Sequence, residues 1–132
     1  MNSSDYYALN KNKIKARAKK WYSTNKDKVK ERNQTIKSRW QAAKNVAKRR
    51  GIKWELSLKE YEMLQKPCFY CNGYFHTVTV GCGLDRIDNL IGYTKNNVVS
   101  CCKVCNMVKN SIFSLEETQL MIKTVINNRK TC

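Results

Sequence analysis

Two Cys-x-x-Cys pairs, Cys68-Phe-Tyr-Cys71 and Cys102-Lys-Val-Cys105, constrain this chain more than any other feature. Each pair offers two thiolates from one tight turn, and two such knuckles complete a closed tetrahedral four-cysteine site of the kind that holds structural Zn²⁺. A redox dithiol needs one pair and no matched second one, so the spacing favours metal ligation. Cys101 could stand in for Cys102, but Cys102-x-x-Cys105 repeats the spacing of the first knuckle, and Cys101 is read as a buried thiol. Cys82 and Cys132 have no assigned role. The N-terminal "MNSSDYYALNKNK" lacks the apolar core of a secretory signal, so a chain with seven cysteines points to metal ligation and not to a disulfide framework. No run of about 18 apolar residues is present, which excludes a transmembrane helix and a membrane partner. The expected setting is the cytoplasm of a bacterium or an infected host cell.

The 132 residues suffice for one domain with an appendage. The net charge of +16 is unevenly spread: residues 1–53 hold 17 Lys/Arg against Asp5, Asp27 and Glu31, a net +14. That asymmetry divides the chain into a basic helical arm, 1–53, and a nearly neutral domain, 54–132. The expected partner of the arm is nucleic acid, bound by phosphate neutralisation and counterion release. Within the arm "YALNKNKIKAR" (7–17) recurs as "YSTNKDKVKER" (22–32). The repeat aligns Lys13, Lys15 and Arg17 with Lys28, Lys30 and Arg32. With Arg49 and Arg50, these are the candidate nucleic-acid contacts. Periodicity predicts helices over 5–22 and 26–50, with a weak point at Ser23-Thr24-Asn25 and a stop at Gly51. Tyr7, Ile14, Ala18 and Trp21 form one apolar stripe, and Val29, Ile36, Trp40, Ala43 and Ala47 another. Trp21 and Trp40 are read as packing anchors.

Beyond the arm the elements alternate in type, predicting an α+β fold. Ser57 and Glu60 form a capping box for a short helix carrying Leu58, Tyr61, Met63 and Leu64, closed by Pro67. The β-branched "TVTV" (77–80) reads as a strand, a turn at 81–83 follows, and a second strand covers 84–87. "NLIGYTKNN" has the Asn and Gly content of a loop. A helix is expected from Cys105 to about Asn110. Ser114 and Glu117 cap a last one, packed through Leu115, Leu120, Ile122, Val125 and Ile126.

Between the knuckles, "GLDRID" (83–88) places two carboxylates around Arg86. The Asp85 carboxylate and the Asn106 amide oxygen are hard donors suited to Mg²⁺ or Mn²⁺. Asn106 directly follows Cys105, so zinc would fix the start of the helix that carries it.

The segments "PCFYC", "GLDRID", "GYTKNNVV" and "CCKVCNMVK" occur in an order that resembles the HNH, or ββα-metal, endonucleases over about residues 54–120. The resemblance implies a treble-clef-like ββα-metal domain. In it Asp85 is the strand ligand of the catalytic cation, Asn106 the helix ligand, Asn97 the brace of the intervening loop, and Lys109 a phosphate neighbour. It also implies a metal-dependent DNA endonuclease of homing, restriction or phage-borne type, acting on double-stranded DNA and possible as a homodimer. The chain departs from the pattern at Arg86, where the family carries a histidine base. Arginine stays protonated and cannot take a proton from water, although it can clamp a phosphate. His76, Asp88, Tyr74 and Tyr93 are the candidates for the missing base. The alternative is a non-catalytic zinc-knuckle DNA-binding protein that has lost the base, and a third is an RNA-binding zinc protein.

Overall fold

A computed structural model describes residues 2–76 and 82–131. The strand expected over 77–80, the beginning of the following turn and Cys132 lie outside them. The chain divides into two compact units, Met1–Ser38 and Arg39–Cys132.

In the first unit α1 spans Ser3–Thr24 and α2 spans Lys26–Asn33. Asn2 caps α1 by accepting a hydrogen bond from the Asp5 N–H at 2.9 Å. The break falls at Asn25, whose backbone and side-chain N–H groups both turn back to the Trp21 carbonyl. The helix expected over 26–50 is in fact two, because Thr35 ends the first and starts the second. Its hydroxyl accepts from the Ser38 N–H at 3.2 Å, the geometry of an N-cap for α3, Ile36–Arg49. No side chain of α1 is buried. Trp21, expected as an anchor, is 54% exposed, since an apolar stripe so narrow has no facing partner within this unit.

The second unit takes in most of α3. Trp40 Nε1 and Trp54 Nε1 both donate to the Leu56 carbonyl, at 3.0 and 2.8 Å, and Ala47 is buried. These contacts belong to the unit Arg39–Cys132, whereas the charge changes at residue 53. Gly51, in the left-handed region at φ 67°, ends α3 as expected. The following segment is stitched to a later loop by Tyr93 N–H to Lys53 O (2.8 Å) and Glu55 N–H to Tyr93 O (2.9 Å).

Helix α4, Leu58–Met63, carries the expected Ser57–Glu60 capping box. Strand β1, Gly83–Arg86, pairs antiparallel with β2, Val98–Cys101, so that Asp85 faces Val99. The sequence reading had no strand at 98–101, where two valines directly follow a polar loop. Helix α5, Lys103–Lys109, starts at Cys102, earlier than Cys105. Helix α6, Leu115–Lys130, has the expected Ser114–Glu117 box. Its inner face is Leu115, Thr118, Ile122 and Ile126, whereas Leu120 and Val125 point outward. Thr118 is tolerated inside because its hydroxyl donates to the Ser114 carbonyl at 2.7 Å.

The core is small and rich in sulfur: Cys68, Tyr70, Cys71, Cys82, Cys101, Cys102, Cys105 and Ile122, with Phe75, Val99, Val108, Leu115 and Ile126 packed on it. Among the described residues, no helix is long and apolar enough to cross a membrane.

Candidate functional site

Cys68, Cys71, Cys102 and Cys105 are all buried, and their sulfurs lie within 4.8 Å of one another. Four thiolates at about 2.3 Å from a tetrahedral Zn²⁺ stand about 3.8 Å apart along each edge. The Cys71–Cys102 sulfur distance is 3.8 Å, so the cluster has the dimensions of a zinc site. The neighbouring Cys101 thiol, whose S–H donates to the Cys102 carbonyl at 3.3 Å, holds Cys68 below its ordinary value, whereas burial pushes the Cys102 and Cys105 thiols up. Cys101 is buried in the same core and lies outside the four-cysteine cluster. Burial pushes the Cys82 thiol up to about 11, and this thiol is turned to the Lys66 carbonyl at 3.4 Å.

Next to this cluster, β1 carries Asp85 inward, where it is 5% exposed. One carboxylate oxygen, Oδ2, accepts the Tyr70 phenol at 2.7 Å. The other, Oδ1, accepts from Lys109 Nζ at 3.3 Å, and the same ammonium donates to the Arg86 carbonyl at 2.8 Å. Burial, reinforced by the hydrogen bond to Asp85, raises the Tyr70 phenol above its usual value, so it stays a donor through neutral pH.

Lys109, expected as a phosphate neighbour, is 1% exposed and turned inward on Asp85. Helical geometry gives the reason: Lys109 follows Cys105 by four residues and shares its inner face. That spacing was the signal available in the sequence.

Asp85 and Asn106 line one open cleft of about 590 Å³, together with Arg50, Arg86, Asn89 and Tyr93. Asn106 sits on the exposed side of α5, one residue past Cys105. A carboxylate and an amide oxygen on the walls of one polar cleft fit a hard divalent cation. The fit is not complete, because Asp85 Oδ1 is shared with the Lys109 ammonium.

The loop joining β1 to β2 is tied from within. Asn97 Oδ1 accepts from the Asp88 N–H at 2.9 Å, and Asn97 Nδ2 donates to the carbonyls of Asp88 (2.9 Å) and Gly92 (3.0 Å). Arg86 Nη1 donates to the carbonyls of Asn89 (2.8 Å) and Ile91 (3.1 Å), and its guanidinium lies 5.5 Å over the Tyr93 ring. The arginine thus also serves the loop.

Of the four candidate bases, Tyr93 alone is among the residues lining this cleft. Asp88 uses Oδ1 on the Leu90 N–H at 2.8 Å, closing a local turn. His76 is exposed after the first knuckle, and Tyr74 packs edge-on against Phe75. Lys13, Lys15, Arg17, Lys28, Lys30 and Arg32 are exposed on α1 and α2; Arg49 and Arg50 are exposed at the end of α3. Sequence reasoning missed Tyr70, whose only signal was a phenol at a knuckle position where phenylalanine would pack equally well.

No family model matches the sequence. The uncharacterized protein R423 of Acanthamoeba polyphaga mimivirus is 35% identical over 99 residues, which cover 73% of this chain and 18% of that protein. The chain thus spans less than a fifth of the length of this viral relative. Among solved structures, the rare-cutting HNH restriction endonuclease PacI, described for an extraordinary mechanism of DNA perturbation, matches with a TM-score of 0.55. The identity is 22%, over 65% of this chain and 72% of that one. At that level the likeness is one of fold: a small α+β arrangement similar to an HNH endonuclease, with a cluster of four cysteines that could hold zinc.

Proposed function

We propose that this chain is a metal-dependent DNA endonuclease of the HNH type. The observation that carries the reading is the cleft that Asp85 and Asn106 line together with Arg50 and Arg86, in a unit that also holds a four-cysteine cluster. Asp85 and Asn106 would hold Mg²⁺ or Mn²⁺, while Cys68, Cys71, Cys102 and Cys105 hold structural Zn²⁺. When bound, the divalent cation polarises the scissile phosphate and stabilises the oxygen that leaves. Water attacks phosphorus in line, the bond to the 3′-oxygen breaks, and a 3′-hydroxyl and a 5′-phosphate result. Arg86 and Arg50 face the phosphate from the cleft wall and offset its charge. Asn97 keeps the loop that presents Arg86 and Tyr93 in one conformation. Tyr93 is the candidate that shares the cleft with Asp85 and Asn106, and we assign it the role of base: as the phenolate it takes the proton from the attacking water. The exposed basic residues of α1 and α2 bind the backbone of duplex DNA without reading its bases.

The test is incubation with a broad library of duplex DNA plus Mg²⁺ or Mn²⁺, beside Asp85→Ala and Asn106→Ala. Cleavage by the wild type and not by the variants is expected. A wild type that leaves the library intact at the level of both variants would refute the nuclease reading. One observation favours a second reading, a DNA-binding protein without catalysis. Asp85 is already neutralised by Lys109, and an arginine follows it where a base would stand. Salt-sensitive binding without cleavage is the outcome that reading requires.

A further inference from the structure

Tyr70 lies between the two cysteines of the first knuckle and is 6% exposed in the sulfur-rich core. Its ring meets Phe69 edge to face at 5.3 Å, a packing role that a phenylalanine would fill without the hydroxyl. The hydroxyl makes one further contact, the 2.7 Å bond to Asp85 Oδ2. A carboxylate turns about χ2 over a broad, nearly flat minimum, so an unheld Asp presents its lone pairs in many directions. A short bond from a buried donor to an ionised oxygen is among the stronger hydrogen bonds and removes that freedom. Lys109, on the helix that starts at the second knuckle, holds the other oxygen more loosely at 3.3 Å. Each oxygen of Asp85 is therefore held by a group whose own position is set by one knuckle.

We infer that Tyr70 is a positioning residue for the divalent cation: it fixes the plane of the Asp85 carboxylate and so links the zinc knuckle to the cation site. This inference rests on the reading of Asp85 as a cation ligand. Groups that orient a metal ligand typically change metal affinity by about 10- to 100-fold when removed. Tyr70→Phe keeps the ring and loses only the bond, so the fold and the zinc remain while the carboxylate is released.

The experiment is titration of the zinc-loaded full chain with Mn²⁺, followed by electron paramagnetic resonance without DNA. Wild type, Tyr70→Phe and Asp85→Asn are compared, with zinc content and the rate of zinc release to a chelator measured on each. The expected result for Tyr70→Phe is Mn²⁺ binding weakened about 10-fold, with one zinc per chain and unchanged zinc release. Asp85→Asn should lose the site. Binding by Tyr70→Phe as tight as wild type, with Asp85→Asn defective, overturns the inference and leaves the ligand reading standing. Loss of zinc together with Mn²⁺ in Tyr70→Phe would make Tyr70 a fold residue and also overturns it. Wild-type Mn²⁺ binding by Asp85→Asn would instead remove the ligand reading, and the inference with it.

Discussion

Lys109 and Asp85 form an ion pair at 3.3 Å in which the side chains are 1% and 5% exposed. At this depth neither charge recovers its hydration, and each is tolerated only because the other is present. The Arg86 carbonyl and the Tyr70 phenol complete the set by occupying further donor and acceptor sites. Removing one member of such a pair leaves a buried charge uncompensated, which typically costs about 3 to 5 kcal/mol. Lys109→Ala should therefore lower the unfolding free energy of the zinc-loaded protein by about 3 kcal/mol in urea titration. A loss below about 0.5 kcal/mol, the size typical of surface changes, would show that the lysine is solvated and not paired.

At the scale of elements, the loop between β1 and β2 is held by the Asn97 amide from one side and by the 53–55 segment from the other. The backbone there passes so close that a Cβ on Gly92 would collide with the Lys53 carbonyl oxygen and stand 2.8 Å from the Lys53 Cβ. Since a backbone carbonyl cannot swing away as a side-chain end can, Gly92→Ala must push the two segments apart. Overpacking of this sort costs roughly 1 to 3 kcal/mol. Gly92→Ala should be destabilised by that amount and should also loosen Tyr93, which bonds Lys53 and Glu55 through its backbone. Chemical denaturation checks the first effect, and a change in intrinsic fluorescence of Trp54, 5.1 Å from the Tyr93 ring, checks the second.

For the molecule as a whole, the second unit has a core cluster in which six buried cysteines pack with Tyr70 and Ile122. Structural zinc in small domains contributes on the order of 10 kcal/mol of apparent binding free energy at neutral pH. That is comparable with the entire stability of an ordinary domain. Strong chelation should therefore unfold the Arg39–Cys132 unit, seen as collapse of tryptophan emission toward that of exposed indole, because Trp40 and Trp54 both anchor there. Zinc returned in slight excess should restore it. A stripped protein that keeps its native emission would mean that the four-cysteine cluster does not hold the fold.

Several features were legible from sequence because their physics is local. Two knuckles of matched spacing place four thiols in one cluster, and Ser-x-x-Glu boxes start α4 and α6 through bonds three residues apart. Asp85 and Asn106, on a strand and on a knuckle-started helix, line one cleft, an arrangement that the packing of β1 beside α5 decides. The unit boundary, strand β2, the outward turn of Leu120 and the inward turn of Lys109 depend on which surfaces meet across the chain. A lysine at a helix position is solvated or buried according to whether a distant carboxylate waits for it, and the spacing from Cys105 gives Lys109 its face but not its partner. The bond from Tyr70 to Asp85 spans fifteen residues and exists only because the first knuckle and β1 pack on one core. Local spacing determined the four-cysteine cluster and the helix starts; tertiary packing decided which side chains turn inward and what they meet, because burial and orientation are properties of facing surfaces and not of one segment.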